Sequence, residues 1–113
     1  MNYENLEIWK RSRQLAIDVY INTKQIKDFG FKDQLTRCAL SIPSNIAEGY
    51  ERDYQKEKVR FLSISKGSTG EFKTQVDIGI EIGFLPKDIG RNWMDEAESL
   101  SRMIGKLITK LNN

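Results

Sequence analysis

The chain has 113 residues, one cysteine, no histidine and a formal net charge of +2 at pH 7. This length corresponds to one domain with its own core, and a lone cysteine excludes an internal disulfide. Without histidine the protein lacks the commonest general base and metal ligand, which excludes histidine-dependent catalysis. The near-neutral charge shows no overall preference for nucleic acid, so any basic patch has to be local.

The N-terminal sequence, MNYENLEIWKR, mixes acidic, aromatic and basic residues without an apolar run. A secretory signal needs such a run, and a membrane span needs about 20 predominantly apolar residues, a pattern found nowhere in the sequence. We therefore expect a soluble protein of the cytoplasm that has no membrane partner.

The first predicted helix covers about residues 4–24 and is amphipathic. Its charged residues lie mostly away from the apolar side, and residues 28–30, Asp-Phe-Gly, then interrupt the helical pattern. The predicted apolar face consists of Leu6, Trp9, Ala16, Val19, Tyr20 and Thr23.

The second predicted helix covers residues 31–50, ends near Arg52 and contains a proline. Apolar residues recur every three or four positions on both sides of Pro43, so we expect the helix to continue across it with a kink. Pro43 removes one backbone donor and displaces the carbonyl of Ala39, which costs roughly 3 kcal/mol unless packing compensates. Cys38 lies on the same apolar face and is predicted to pack as a small hydrophobic residue.

The third predicted helix covers residues 54–83, about 45 Å if unbroken, with Asp53 as its N-cap. Its two apolar faces imply more than one set of neighbours. The KGSTGE segment, residues 66–71, has weak helix propensity, and its small residues predict a tight helix crossing. The main face consists of Phe61, Ile64, Ser65, Ser68, Phe72, Val76, Gly79 and Ile82, and the second of Val59 and Leu62.

The fourth predicted helix follows a turn at residues 84–86 and has either Asp88 or Asn92 as its cap. Met103 and Ile108 broaden its apolar face beyond a narrow coiled-coil seam. Four amphipathic helices with short connections predict one domain over residues 1–113, an all-α, antiparallel, up-and-down four-helix bundle. The apolar face of the fourth helix consists of Trp93, Ala97, Leu100, Ile104, Leu107 and Leu111.

Three segments, LEIWKRSRQLAIDVY, SIPSNIAEGYER and RFLSISKGSTGEFKTQ, resemble bacterial four-helix bundle proteins encoded within intervening sequences of 23S ribosomal RNA genes. The resemblance covers nearly the whole chain and is densest over residues 34–75. It implies a homopentameric ring without established enzymatic activity. A related branch, the accessory variability proteins of diversity-generating retroelements, forms basic pentamers that bind nucleic acid and a reverse transcriptase.

The residues that match the family motif lie on the second and third helices. On the second helix they are Ser41, Pro43, Asn45, Glu48, Gly49 and Arg52, and on the third they are Gly67, Ser68, Glu71 and Gln75.

The polar motif residues have two interpretations. One helix face carries Ser41, Asn45 and Glu48. This arrangement favours a buried hydrogen-bond layer that fixes helix register and satisfies the carbonyls freed by Pro43. In this interpretation the arginine at the helix end pairs with a carboxylate. The alternative is a Glu48–Glu71 pair for metal or acid–base chemistry. Di-metal bundles use Glu-x-x-His motifs, so the missing histidine disfavours this alternative, and we expect no metal and no cofactor.

The candidate nucleic-acid surface is a run of cations, with a second cluster at Lys10, Arg11 and Arg13. Within one chain these cations could equally form a solvated face with ordinary ion pairs, such as Glu57 with the arginine three residues later. A ring would repeat the cations around its perimeter and make binding multivalent. The candidate binding residues are Arg52, Lys56, Lys58, Arg60 and Lys66.

A bundle of this size needs about one apolar face per helix, and the surplus on the third helix predicts self-association. The sequence therefore predicts a non-enzymatic oligomer, a pentamer by the resemblance, that acts as an accessory or scaffold protein bound to RNA or DNA. The alternative is a structural interaction module that binds a protein partner and no nucleic acid.

Overall fold

The computed structural model describes residues 2–113, and these form four long helices without a strand. A short 3-10 turn at Tyr3–Asn5 precedes the helices. The helices are α1 (Glu7–Asn22), α2 (Phe29–Tyr50), α3 (Gln55–Glu81) and α4 (Lys87–Leu111). Each helix packs against the next, and α4 packs back against α1. Because the connections are short, successive helices run antiparallel, and the predicted four-helix bundle is confirmed.

The helix ends follow local chemistry that the sequence only partly revealed. Asp28 accepts a hydrogen bond from the backbone N–H of Phe31 at 2.9 Å and caps α2. The predicted cap at Asp53 is wrong, because the residue that precedes α3 is Tyr54, without a side-chain cap. Both predicted caps of α4 are wrong as well, because the extended backbone of Pro86 precedes that helix.

Helix α3 ends in a left-handed glycine. Gly83 has a φ of +84°, a conformation that L side chains rarely adopt. Its N–H donates to the Ile80 carbonyl at 3.1 Å, and the next N–H, from Phe84, donates to the Gly79 carbonyl at 2.8 Å. This pair of bonds is a Schellman motif, which satisfies the free carbonyls at the helix end and turns the chain towards α4.

The core lies along the bundle axis, and on α4 it contains the predicted Trp93, Ala97, Leu100 and Ile104. The prediction for the first helix is confirmed at Ala16, Val19 and Thr23, but the core also contains Ile8 and Leu15, and Tyr20 is exposed. On α3 the assignment of Ile64 and Ile82 to the core is wrong, and Leu62 is fully buried instead. Helix α3 is flanked by both α2 and α4, so its buried arc is wide and centred elsewhere. The residues buried on α3 are Leu62, Ser65, Ser68, Thr69, Phe72, Val76 and Gly79.

Helix α2 continues through Pro43, which confirms that prediction. One residue before the proline, the Ile42 carbonyl accepts a hydrogen bond from the buried Ser65 hydroxyl of α3 at 2.8 Å. The predicted tight crossing at the glycines of KGSTGE is wrong, because a Cβ on Gly67 would meet open space. The close approach occurs at Gly49 of α2, where a Cβ would lie 3.1 Å from the backbone oxygen of Lys58.

Candidate functional site

A shallow groove between α2 and α3 contains most of the polar motif residues. The Ser41 hydroxyl donates to the Cys38 carbonyl at 2.6 Å, and the Asn45 amide donates to the Ser41 carbonyl at 2.8 Å. Both bonds run along α2, and both side chains are half-buried. The predicted buried layer that fixes helix register is therefore wrong for these two residues. The groove is lined by Gln34, Arg37, Cys38, Ser41, Asn45, Ile64, Ser68, Glu71 and Gln75.

The two motif carboxylates have different partners. Glu48 pairs with Arg52 at 3.0 Å, which is the predicted ion pair at the end of α2. Glu71 lies 3.2 Å from the Cys38 sulfur across the groove. Glu48 therefore contacts Arg52, and Glu71 contacts Cys38. These contacts do not support an acid–base pair between the two carboxylates.

Cys38 links α2 to α3 through its thiol. The sulfur lies 3.2 Å from Glu71 Oε1 and 3.4 Å from the Ser68 carbonyl, and the residue is almost fully buried. Burial first, and then the hydrogen bond and negative charge of Glu71, raise the pKa of the Cys38 thiol to about 12. The predicted packing of Cys38 as a small core residue is confirmed, with a polar contact that sequence reasoning did not foresee.

We expect the native protein to resist alkylation at Cys38. At about pH 8 the raised pKa lowers the thiolate fraction about 1,000-fold relative to an ordinary thiol, and the thiolate is the reactive form. Mass spectrometry of iodoacetamide labelling should show slow modification in buffer and rapid modification in concentrated guanidinium chloride. Rapid labelling of the folded protein would contradict this assignment.

The cations at the α2–α3 junction surround an aromatic ring. The guanidinium groups of Arg52 and Arg60 each lie 4.9 Å from the centre of the Phe61 ring. Arg60 also pairs with Glu57 at 3.3 Å, which is the ion pair expected from the sequence. These two arginines therefore lie together but are partly neutralised within the chain.

The other residues of the junction differ in their exposure and in their contacts. The Lys58 ammonium lies 4.6 Å from the centre of the Tyr50 ring, whose burial raises the pKa of the Tyr50 hydroxyl. Lys56 and Tyr54 are exposed, Tyr54 at 76% of its full area. We use the name junction cluster for the four basic residues that the structure brings to this end of the bundle, namely Arg52, Lys56, Lys58 and Arg60.

Lys66 lies apart from the junction cluster. It lies six residues, about 1.7 turns, beyond Arg60 on α3. Its stem reaches α4, where its Cε would lie 3.1 Å from a Cβ on Gly105. The predicted grouping of Lys66 with the junction residues therefore has to be corrected, because the helix turns Lys66 towards the α3–α4 side.

The second predicted cluster, at the start of α1, also separates. Arg11 forms a two-pronged pair with Glu96 of α4, at 2.6 and 2.9 Å, and donates to the Ser99 hydroxyl. The hydrogen bond with Glu96 raises the pKa of the Arg11 guanidinium. Arg13 lies over the Trp9 ring at 5.9 Å, while Lys10 is exposed. Arg11 therefore joins α1 to α4 and is not a free cation.

Sequence reasoning missed an exposed apolar surface on α1 and α2. We call it the α1/α2 face and define it by Tyr20, Ile21, Phe29 and Leu40, with Phe29 76% exposed. Two neighbouring depressions follow this face, and Tyr20 and Ile21 line both of them. The signal was present in the sequence, because α1 has more apolar residues than one core face requires.

A second exposed apolar surface lies on α3. We call it the α3 face and define it by Ile64, Ile78 and Ile82, whose spacing of 14 and 4 residues places them on one side of the helix. Beside it, the Oε1 atom of Gln75 is buried and has no hydrogen-bond partner among residues 2–113. The exposed side chains that define the α3 face are therefore apolar, and the unpaired acceptor beside them is closed to solvent.

The family model described as 23S rRNA-intervening sequence protein matches residues 4–106. The chain belongs to this family. The match includes the groove between α2 and α3, the junction cluster and the whole of α3, so it confirms the resemblance drawn from the motif residues. No curated protein sequence matches the chain.

A solved structure has the same fold as this chain. It is the 1.70 Å crystal structure of a protein of unknown function from the S23 ribosomal protein family of Bacteroides thetaiotaomicron VPI-5482. The two chains share 16% identity, with a TM-score of 0.85 over 89% of this chain and 97% of the other. At this level of identity the likeness concerns the fold alone.

None of the helices between residues 2 and 113 combines the length and the hydropathy that crossing a bilayer requires.

Proposed function

We propose that this protein is a non-enzymatic homo-oligomer that acts as an accessory or scaffold protein for nucleic acid, with RNA as its first candidate partner. The observation that carries the proposal is the pair of exposed apolar faces on different sides of the bundle. They support an assembly in which each chain contacts a neighbouring chain through each of its two apolar faces. Such an assembly presents several copies of the basic residues of one chain on the same particle.

The two apolar faces have complementary charges around them. The depressions of the α1/α2 face contain Arg13, Lys24 and Lys32 against one carboxylate, that of Asp33. The α3 segment from position 67 to 82 carries three carboxylates and one lysine, and that lysine pairs with Glu98 of α4. The three carboxylates are Glu71, Asp77 and Glu81. The basic rim of the α1/α2 face and the carboxylates around Ile78 and Ile82 of the α3 face favour contact between unlike faces of two copies. The other end of the α3 face, at Ile64, is flanked by Arg60 and Lys66 and does not contribute to the acidic rim.

Size also favours a second copy as the occupant. The bundle measures 43 × 21 × 19 Å, so one long side is wide enough for the about 800 Å² that each partner buries in a standard interface. Contact between unlike faces is heterologous, and it produces a ring when the rotation between neighbours closes. The number five comes from the family resemblance.

Gly67 gives independent support for contact at α3. It lies in the middle of a helix, is exposed and has open space where a side chain would be. A glycine there destabilises the isolated helix by about 1 kcal/mol relative to alanine. A neighbouring chain that approaches α3 closely would give this motif position a physical role.

Nucleic-acid binding is supported by the repetition of cations in such an assembly. Lys56 is exposed, and it lies in the junction cluster with Lys58 and two arginines. One copy offers few free charges, because the arginines have carboxylate partners. Several copies on one particle raise the effective concentration of these cations along a phosphate backbone, which makes binding multivalent and sensitive to salt.

The alternative function is a scaffold that binds a protein partner and no nucleic acid. The pairing of Arg52 with Glu48 and of Arg60 with Glu57 favours it, because both pairs reduce the positive field of the junction cluster. If these pairs neutralise the two arginines, the apolar faces remain as the main interaction surfaces.

Light scattering coupled to size exclusion tests the proposal, with and without a structured RNA fragment at low and moderate salt. We expect a particle of several chains that gains mass with RNA and releases it as salt rises. An oligomer that ignores RNA at both salt concentrations would support the protein scaffold. A monomer that also ignores RNA would contradict both functions.

A further inference from the structure

The second half of α4 carries an excess of positive charge. After Glu98 the helix contains three basic residues and no acidic residue. Arg102, Lys106 and Lys110 follow one another at intervals of four, which places them on neighbouring positions of one helix side, about 6 Å apart along the axis. In the junction cluster only Lys56 and Arg60 share this spacing within one helix, because Arg52 lies before α3 begins.

A fourth cation joins this row from α3. Lys66 reaches across the helix pair beside Gly105, and a shallow depression there is lined by Lys66, Gly105 and Lys106 with the aliphatic part of Ile108 and Thr109. The missing side chain at position 105 leaves room for the Lys66 stem. We call Lys66, Arg102, Lys106 and Lys110 the α4 cationic surface.

These cations are less neutralised than those of the junction cluster. In the part of the chain from residue 2 onwards, no carboxylate lies within 4.0 Å of Lys66, Lys106 or Lys110. Arg102 approaches Glu98 only to 3.5 Å, and Glu98 already pairs with Lys73. The hydrogen bond from Lys73 lowers the pKa of the Glu98 carboxyl, and Lys66 is also near enough to help lower it. The α4 cationic surface therefore retains two lysines, Lys106 and Lys110, without a salt bridge in the described chain, and two cations that share Glu98 with Lys73.

Helix stabilisation explains only part of this pattern. A cation in the last turn interacts favourably with the helix dipole, and Lys110 lies in the last turn. The dipole effect falls off within that turn, so it does not account for Arg102 or for Lys66, which belongs to another helix. A polyanionic partner accounts for all four.

We propose that the α4 cationic surface is the main contact of this protein with the phosphodiester backbone of RNA. The inference rests on the proposed function and specifies its binding site. The depression between Lys66 and Lys106 contains no aromatic residue, so bases have no platform to stack on. Recognition is therefore by the backbone and independent of base sequence.

The position of the surface agrees with the proposed assembly. The α1/α2 face and the α3 face contain no residue of α4, so contact between those faces leaves the outer side of α4 open. Each chain of a ring then presents one α4 cationic surface to solvent, and a single RNA can contact several of them.

A pair of triple variants tests the inference. One carries K66Q, K106Q and K110Q, and its matched control carries K27Q, K87Q and R91Q. The control removes the same charge from exposed positions at the other end of the bundle, outside both apolar faces. Fluorescence anisotropy with a single-stranded RNA and with an RNA hairpin, across a series of salt concentrations, gives affinity and its salt dependence. Light scattering verifies that each variant keeps the assembly of the unmodified protein.

We expect the K66Q/K106Q/K110Q variant to lower the slope of log K against log salt by about 2 for single-stranded RNA, since each lost phosphate contact removes about 0.7. The K27Q/K87Q/R91Q control should keep most of the slope. Equal slopes for the two variants, with RNA still bound, would overturn this inference and leave the proposed function standing. Absence of RNA binding by the unmodified protein would overturn both.

Discussion

An Ile21→Asp variant and an Ile78→Lys variant should each be monomeric, and an equimolar mixture of the two should form a dimer. Ile21 belongs to the α1/α2 face and Ile78 to the α3 face, and both are about half exposed in the single chain. Each substitution places a charge that the rim of the opposite face repels. An unpaired charge buried in an interface costs about 3 kcal/mol or more, which weakens association about 100-fold.

The mixture distinguishes unlike-face contact from like-face contact. The Ile21→Asp chain keeps its α3 face and the Ile78→Lys chain keeps its α1/α2 face, so one intact interface can form between them. In a symmetric interface made by one face alone, the mixture would contain no such dimer. Sedimentation velocity measures the masses, and Asp95→Ala, an exposed change on α4, should assemble like the unmodified protein. A mixture that stays monomeric would contradict contact between unlike faces.

Replacing Phe72 with alanine should lower the free energy of unfolding by about 3–5 kcal/mol. Phe72 lies on the buried side of α3 and is fully buried, and the centre of its ring is 6.4 Å from the centre of the Trp93 ring on α4. Alanine at this position would leave a cavity in the core. Urea denaturation followed by circular dichroism gives the value. The substitution is made in the Ile21→Asp variant, which we expect to be monomeric, so that loss of assembly does not contribute to the measured free energy of unfolding.

Phe29→Ala in the same background is the matched control. It removes the same atoms from a ring that is 76% exposed, so the free energy of unfolding should change by less than about 0.5 kcal/mol. Similar losses for the two substitutions would show that burial in the single chain does not set the stability of this bundle.

The sequence predicted the buried residues of α4 better than those of α3, because the two helices differ in how they pack against their neighbours. On α4 the apolar residues from Trp93 to Ile104 recur on one side, and that side is the one buried. Helix α3 has partners on two sides, so its buried arc is wide: Ser65 is buried as predicted, but Thr69 also enters the core and Ile64 stays outside. A single apolar face is visible in a sequence, but the width and centre of a buried arc that faces two helices are not.

The candidate site was predicted in part, because charges and pairs within one helix are visible in a sequence, whereas pairs between distant residues are not. The pairs Arg52–Glu48 and Arg60–Glu57 follow from helical spacing, and the structure confirms both. The pair between Arg11 and Glu96 joins residues 85 positions apart, and no local pattern indicates it. For the same reason Lys66 was grouped with its sequence neighbours, although it lies beside α4.

The sequence by itself determined the four helices, their order and the continuation of α2 through Pro43. Helical periodicity, turn residues and the family motif are local properties, so they can be read from neighbouring positions. Only the tertiary structure decided how wide each buried face is, which cations remain free and which apolar residues stay exposed. Those outcomes depend on which helix packs beside which, and residues from distant parts of the chain meet only when the bundle forms.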